Sequence, residues 1–199
     1  MSKQAEEELS TDPAQVILVY SDKRKKEIRI INQEEIETAE TKPFLYLGDS
    51  DAALISHLNK NKHITHILNV TKELKLPNLA HLTTLQIPIQ DEVGCDIGKH
   101  FPSIVEFIRN CLKEKGCVLV HCYSGISRSS SMVAAFLMNY FRMEVDESLL
   151  YIRSRRKVIC PNPGFVTALN DYEKLLKSAP QDDNQDNSKQ NETKNCTVQ

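Results

Sequence analysis

The segment from His121 to Ser129, with the sequence HCYSGISRS, constrains the fold of this chain more than any other. The apolar run at 118–120 is typical of a buried strand, and the apolar stretch at 129–141 is typical of a buried helix. A short turn between a strand and a helix N-terminus can point several backbone N–H groups at one centre, where they bind an anion. The segment therefore predicts an anion-binding loop, and phosphate fits such a loop best.

Two side chains of this loop carry the predicted chemistry. Cys122 lies at the base of the loop, where the N–H groups, the helix N-terminus, Arg128 and the neighbouring His121 would all favour its thiolate form. Arg128 can donate two parallel hydrogen bonds to phosphate oxygens, which a lysine cannot do. A thiolate that faces a bound phosphorus atom is arranged for nucleophilic phosphoryl transfer. A buried structural cysteine and a rhodanese-like sulfur-transfer loop are the alternative interpretations.

Length, charge and cysteine content argue against several other classes of protein. The 199 residues suit one domain with some tail, and the formal net charge of −2 argues against nucleic acid as a partner. No apolar run reaches the roughly 18 residues of a membrane helix, and the N-terminus is polar and acidic, unlike a signal peptide. The six cysteines form no C-x-x-C pair, which argues against a zinc site. Their even number could indicate disulfides, but without a signal peptide a reducing cytosol with free thiols is the better interpretation. We therefore expect a cytoplasmic protein, with the nucleus as a further location.

Hydrophobic periodicity predicts strands that alternate with helices, followed by a helical half. Strands are predicted at 43–48, 64–70, 85–89 and 117–121, and the main helices at 97–112, 129–141, 145–156 and 163–178. This order predicts an α/β fold with a mainly parallel central sheet flanked by helices. Two further apolar runs, at 16–20 and 27–31, either form an additional hairpin or cover part of the core.

The same patterns divide the chain into three parts. We expect a partly disordered N-terminal extension over 1–40 and a folded domain over 41–179. The tail over 180–199 is rich in Asp, Asn, Gln and Lys with almost nothing apolar, so we expect it to be disordered.

Several motifs outside the loop give the chain a family resemblance. They are FLYLG at 44–48, HILNV at 66–70, IPIQD at 87–91 and ICPNPGF at 159–165. With the loop, they make the stretch 42–177 resemble the dual specificity phosphatases of the cysteine-dependent protein tyrosine phosphatase superfamily, in order and spacing. We expect an atypical, small member of that family, without a rhodanese-like docking domain before residue 41.

The resemblance implies a protein tyrosine phosphatase-like fold and a metal-independent phosphatase that needs no cofactor. Its substrates would be phosphotyrosine and phosphoserine or phosphothreonine in proteins, signalling kinases among them, hydrolysed through a cysteinyl-phosphate intermediate. The loop interior has no basic residue of the kind that phosphoinositide phosphatases often carry. The alternative interpretation is a phosphoprotein-binding scaffold with negligible turnover.

The resemblance also implies roles for single residues. Asp91, about thirty residues before the cysteine, would be the general acid; Glu92 and Asp96 are its rivals, although Asp96 is better explained as a helix N-cap. Ser129 would donate its hydroxyl to the leaving thiolate, or cap the helix. The loop residues expected to bind the phosphate are Tyr123, Ser124, Gly125, Ile126, Ser127 and Arg128.

His121, Asn162 and a basic cluster near residue 156 are candidates for supporting roles rather than for the reaction itself. His121 would orient the loop, and Asn162 would brace it by side-chain hydrogen bonds or serve only the local turn. The basic cluster of Arg153, Arg155, Arg156 and Lys157 indicates either a solvated helix end or a second phosphate site through Arg156.

Two cysteine predictions concern modification. Cys95 or Cys117 could form a disulfide with an oxidised Cys122. The terminal sequence CTVQ has the C-a-a-X form, which predicts prenylation at Cys196, although Thr197 is not aliphatic. Because the tail lacks a polybasic segment, membrane contact would occur only through this lipid and would be weak.

Overall fold

The structure, a computed structural model, describes residues 14–22, 27–30, 43–58, 64–75 and 81–179. Within them six strands form one sheet in the order β2-β1-β3-β6-β4-β5. Their bounds are β1 Ala14–Asp22, β2 Glu27–Ile30, β3 Pro43–Gly48, β4 His66–Asn69, β5 Thr83–Gln86 and β6 Val118–His121.

Four neighbouring strands of the sheet, β3, β6, β4 and β5, are parallel to one another. Strand β1 runs antiparallel to both β2 and β3. The predicted mainly parallel sheet is therefore confirmed. Of the two possibilities for the runs at 16–20 and 27–31, the structure shows the hairpin, which extends the sheet beyond β3.

Five α-helices in the described residues accompany the sheet, and their bounds are α1 Ser50–Leu58, α2 Phe101–Lys113, α3 Arg128–Phe141, α4 Val145–Arg155 and α5 Pro163–Ser178. A short 3-10 turn, Gly98–His100, leads into α2.

The strand predicted at 85–89 is observed as β5, which begins two residues earlier and ends three residues earlier than predicted. Pro88 has no N–H with which to continue the hydrogen bonds between the strands. None of the described helices combines the length and apolar character that crossing a bilayer requires.

Helix α3 is the centre of the core, as its apolar sequence predicted. Every residue from Arg128 to Met138 is buried. The hydroxyls of Ser130 and Ser131 donate to backbone carbonyls of Ile126 and Ser127, so these buried polar groups are satisfied within the helix start.

The parallel strands place the site. The carboxyl ends of parallel strands meet at one edge of a sheet, and ligands bind in the loops beyond that edge. Here the loops that follow β3, β4, β5 and β6 all begin at this edge, at residues 49, 70, 87 and 122. The anion-binding loop is the last of the four.

Candidate active site

Cys122 lies at the base of the loop, directly after β6, and is fully buried. Its sulfur accepts two hydrogen bonds, from the Gly125 N–H and from the Ser129 hydroxyl, each at 3.2 Å. Helix α3 begins at Arg128, so its N-terminus lies behind the loop, where the helix dipole favours an anion. The predicted nucleophile therefore has donors and a partial positive charge around it.

Ser129 does not cap α3, because the N-cap residue is Ser127. The alternative of an N-cap role for Ser129 is therefore wrong, and its hydroxyl faces the sulfur instead. The Ser127 hydroxyl in turn donates to Asp91 Oδ1 at 2.7 Å and accepts from the Asn162 N–H at 3.1 Å. This predicted phosphate-binding residue thus uses its side chain to join the loop to two other segments.

Asp91 lies beside the predicted phosphate clamp. Its Oδ1 also accepts from Asn162 Nδ2 at 2.8 Å, and its Oδ2 lies 3.7 Å from Arg128 Nε. One carboxylate oxygen is therefore held and the other faces the guanidinium. Asp96 does not cap a helix: the 3-10 turn is capped by Ile97 and α2 by His100, so that expectation is wrong. The chain winds into a tight turn first, which moves the helix start beyond the reach of Asp96.

Asn162 serves both of its proposed structural roles. It is the N-cap of α5, where its Oδ1 accepts from the Phe165 N–H at 3.0 Å. Its Nδ2 at the same time holds Asp91, and its N–H donates to Ser127. Turn chemistry and bracing are therefore performed by different atoms of one residue.

Arg128 is buried and fixed from one side. Its Nη1 donates to the Ile89 carbonyl at 3.1 Å and lies 2.7 Å from Glu73 Oε1, a residue of the loop after β4. Its Nε is buried and makes no hydrogen bond among the described residues. The guanidinium is thus held through Nη1, and its Nε lies 3.7 Å from Asp91 Oδ2, beyond hydrogen-bond distance.

Glu73 was not found by the sequence reasoning, since no motif marks an isolated glutamate. Partial burial would raise the pKa of its carboxyl, but hydrogen bonds from Arg128 and from backbone N–H groups outweigh this and hold the pKa below its ordinary value. The carboxylate is therefore charged when it faces Arg128.

Arg156 is not a solvated helix end, and a second phosphate site at this residue stays a prediction. It is 7% exposed, and its Nε donates to the Gly125 carbonyl at 3.0 Å while Nη2 donates to the Ser124 carbonyl at 3.2 Å. Nη2 also lies 3.4 Å from Asp49 Oδ2. The backbone of Arg156 is extended at the end of α4, which turns the side chain inward, whereas Arg153 and Lys157 are exposed as a solvated end requires.

The remaining loop residues differ in exposure. Tyr123 is 57% exposed and Ser124 is exposed, whereas Ile126 is half-buried. The Tyr123 carbonyl accepts from the Ser50 N–H at 3.0 Å, which ties the loop to α1. His121 is buried, and its Nδ1 lies 3.2 Å from the Cys122 carbonyl, where it can orient the loop.

Cys117 cannot serve as the disulfide partner of Cys122. The two residues lie at opposite ends of β6, which separates them by about 16 Å at 3.3 Å per residue. Burial also raises the pKa of the Cys117 thiol to about 12. Cys95 is half-buried and its pairing stays a prediction, and Cys196 lies outside the described residues.

Comparison with known proteins agrees with this geometry. A family model described as the catalytic domain of dual specificity phosphatases matches residues 45–175. Human dual specificity protein phosphatase 5 is 41% identical over 140 residues, which covers 69% of this chain and 36% of that protein. Mouse dual specificity protein phosphatase 19 is 36% identical over 139 residues, covering 70% of this chain and 63% of that protein. The chain thus matches less than two thirds of the length of either relative.

A solved structure gives the same result for the fold. The crystal structure of a mouse putative dual specificity phosphatase complexed with zinc tungstate superposes with a TM-score of 0.63 and 28% sequence identity, covering 67% of this chain and 84% of that chain. Together with the match over 45–175, this shows that the chain belongs to the dual specificity phosphatases of the protein tyrosine phosphatase superfamily.

Proposed function

We propose that this protein hydrolyses phosphate monoesters on phosphoproteins, at tyrosine and at serine or threonine, through a cysteinyl-phosphate and without a metal ion. The observation that carries the proposal is the surroundings of the Cys122 sulfur. The sulfur accepts hydrogen bonds from Gly125 and Ser129. The loop that begins at Cys122 also supplies Arg128, and Asp91 lies beside this arginine. Nucleophile, phosphate clamp and proton donor are then all present in one site.

In the first step the Cys122 thiolate attacks phosphorus in line with the leaving oxygen. The S–P bond forms as the P–O bond of the ester breaks, and Asp91 gives its proton to the leaving oxygen. Arg128 and the loop N–H groups hold the remaining phosphate oxygens, on which the charge of the transition state is spread. The dephosphorylated protein leaves with the proton.

In the second step water replaces sulfur on phosphorus. Asp91, now a carboxylate, takes a proton from water as the new P–O bond forms and the S–P bond breaks. The sulfur leaves as a thiolate, which the Ser129 hydroxyl and the Gly125 N–H stabilise by their hydrogen bonds. Inorganic phosphate leaves, and Asp91 is protonated again for the next cycle.

The substrate class follows from the loop. Tungstate, which the related mouse phosphatase binds with zinc, is a tetrahedral oxyanion like phosphate. The loop interior of this chain adds no basic side chain, which supports phosphoprotein over polyphosphorylated lipid headgroups. The five cysteines of the described residues are free thiols, which supports a reducing compartment such as cytoplasm or nucleus. Signalling kinases as substrates and prenylation at Cys196 stay predictions.

A metal-free assay tests the proposal. Purified protein should hydrolyse an aryl phosphate, and both phosphotyrosine and phosphothreonine peptides, at a rate that chelator does not change. Cys122→Ser should abolish turnover, whereas Cys160→Ser, which removes an exposed thiol, should leave it unchanged. Turnover that survives Cys122→Ser or disappears with chelator would contradict the mechanism, and phosphopeptide binding without turnover would identify a scaffold.

A further inference from the structure

Arg156 contacts the backbone of the phosphate-binding loop through its guanidinium. Its guanidinium donates to two successive carbonyls, those of Ser124 and Gly125, at 3.2 Å and 3.0 Å. Asp49 Oδ2, at 3.4 Å, lies close to the same guanidinium and joins it to the loop after β3. Arg156 is therefore a buried cation whose described hydrogen bonds go to the loop backbone and to one carboxylate.

The peptide geometry gives these contacts a consequence for the bound anion. In a trans peptide unit the C=O and N–H groups point in opposite directions. The Ser124 carbonyl shares its unit with the Gly125 N–H, and the Gly125 carbonyl shares its unit with the Ile126 N–H. When Arg156 draws both carbonyls outward, both N–H groups face the centre of the loop. The Gly125 N–H points to the Cys122 sulfur, to which it donates at 3.2 Å, and the phosphate would bind against that same sulfur.

The backbone at this point needs such support. Gly125 has a φ of +66°, in the left-handed region, so the loop turns sharply between the two carbonyls. A Cβ atom at Gly125 would lie 2.8 Å from Arg156 Nη2, which shows how closely the guanidinium packs against the turn. The ammonium group of a lysine cannot match the planar fork that reaches both carbonyls.

We propose that Arg156 is a positioning residue of the phosphate-binding loop, which holds the Ser124 and Gly125 carbonyls outward and thereby aims the Gly125 and Ile126 N–H groups at the bound phosphate. The inference deepens the proposed function, on which it rests for the identity of the anion. In this role Arg156 itself makes no contact with substrate. Its effect reaches the reacting atoms through two backbone amides.

The test compares Arg156→Lys and Arg156→Met with Arg153→Lys and Arg153→Met, which change an exposed arginine in the last turn of α4. For both Arg156 variants we expect phosphate to bind about tenfold more weakly and kcat/KM for an aryl phosphate to fall by about 10²-fold, mostly in kcat. The Arg153 variants should behave like wild type. Wild-type phosphate affinity and kcat in the Arg156 variants would overturn the inference.

Amide NMR gives a readout that a merely structural role would not change. Titration of the wild-type protein with inorganic phosphate should move the Gly125 and Ile126 amide resonances downfield, and Arg156→Lys should lose these two shifts while remaining folded by circular dichroism. If phosphate binds to wild type but moves neither resonance, the inference is wrong whether or not any variant folds. If the resonances move in wild type and Arg156→Lys loses these shifts, but wild type has no turnover, the proposed function fails and the positioning role stands.

Discussion

Glu73 Oε1 lies 2.7 Å from Nη1 of Arg128, so the guanidinium that would bind phosphate is already paired with a carboxylate. The pair joins a buried cation to a half-exposed anion, with the Arg128 side chain 6% and the Glu73 side chain 43% exposed. The carboxylate helps to orient the guanidinium, but it also repels a bound phosphate.

The charge of Glu73 can be separated from its hydrogen bond. Glu73→Gln keeps an acceptor for Arg128 and removes the negative charge, so we expect inorganic phosphate to inhibit about threefold to tenfold more strongly at low salt, with a smaller gain at high salt. Inhibition constants at two ionic strengths measure this. Glu106→Gln, on the exposed face of α2, is the charge-matched control. Unchanged inhibition in Glu73→Gln would show that its charge is not felt at the phosphate site.

Asp91→Asn should remove the proton donor while keeping its place in the hydrogen-bond network. We expect kcat to fall by about 10²–10⁴-fold for a substrate with a poor leaving group, and far less for an aryl phosphate whose phenol is strongly acidic. Thiolate and protonated acid must coexist, so the wild-type rate should be bell-shaped in pH. Asp91→Asn should flatten the alkaline limb. A loss of that limb in Glu92→Gln or Asp96→Asn instead would reassign the acid.

Ser129→Ala should slow the second step more than the first. Without the hydroxyl the sulfur is a poorer leaving group, and loss of a hydrogen bond to a charged atom predicts a decrease of about 10–100-fold in the hydrolysis of the intermediate. Rapid-quench experiments should then show a burst of released phenol. Ser131→Ala is the matched control, because it deletes a buried hydroxyl that bonds to the Ser127 carbonyl and not to Cys122. A burst of equal size in both variants would argue against this role for Ser129.

Gly125→Ala should disable the loop. A Cβ atom there would lie 2.7 Å from the Gly48 carbonyl oxygen, and the φ of +66° is unfavourable for alanine. We expect a loss of about 1–3 kcal/mol in the free energy of unfolding and no measurable turnover. Gly94→Ala, where a Cβ would meet nothing within 4 Å, should match wild type in both. Chemical denaturation measures the free energy of unfolding of both variants, and the aryl phosphate assay measures their turnover.

Stability should depend on pH through His66. Burial lowers the pKa of this imidazole, and the nearby Glu114 only partly opposes the change. The neutral form is therefore favoured in the folded state, and the stability that it contributes is present above about pH 6.5 and lost as pH falls through the lowered pKa. The free energy of unfolding, measured by urea denaturation, should decrease from pH 7.5 to 5.5, by no more than about 1.4 kcal/mol per pH unit for one group. His66→Gln should reduce the dependence of the free energy of unfolding on pH. An unchanged dependence would show that other groups cause it.

The parts of the site that are local in sequence could be predicted from sequence. Cys122 and Arg128 share one strand-turn-helix segment, whose geometry follows from neighbouring residues. Helix α5 begins and ends at its predicted residues, because Asn162 supplies a cap oxygen and Pro163 suits a first turn. The α/β fold was predicted for the same reason, since alternating strands and helices favour a parallel sheet.

Other contacts depended on the tertiary structure. Asp91 contacts Ser127, 36 residues away in sequence, and Asn162, 71 residues away. The pairing of Glu73 with Arg128 could not be inferred either, because nothing in the sequence states which loops the sheet brings together. Arg156 shows the limit most clearly. Its sequence neighbours are charged and its helix ends there, which favours exposure, but the extended backbone at 156 turns the side chain inward. The parallel sheet then supplies, from loops far apart in the chain, the carbonyls and the carboxylate that let this cation be buried.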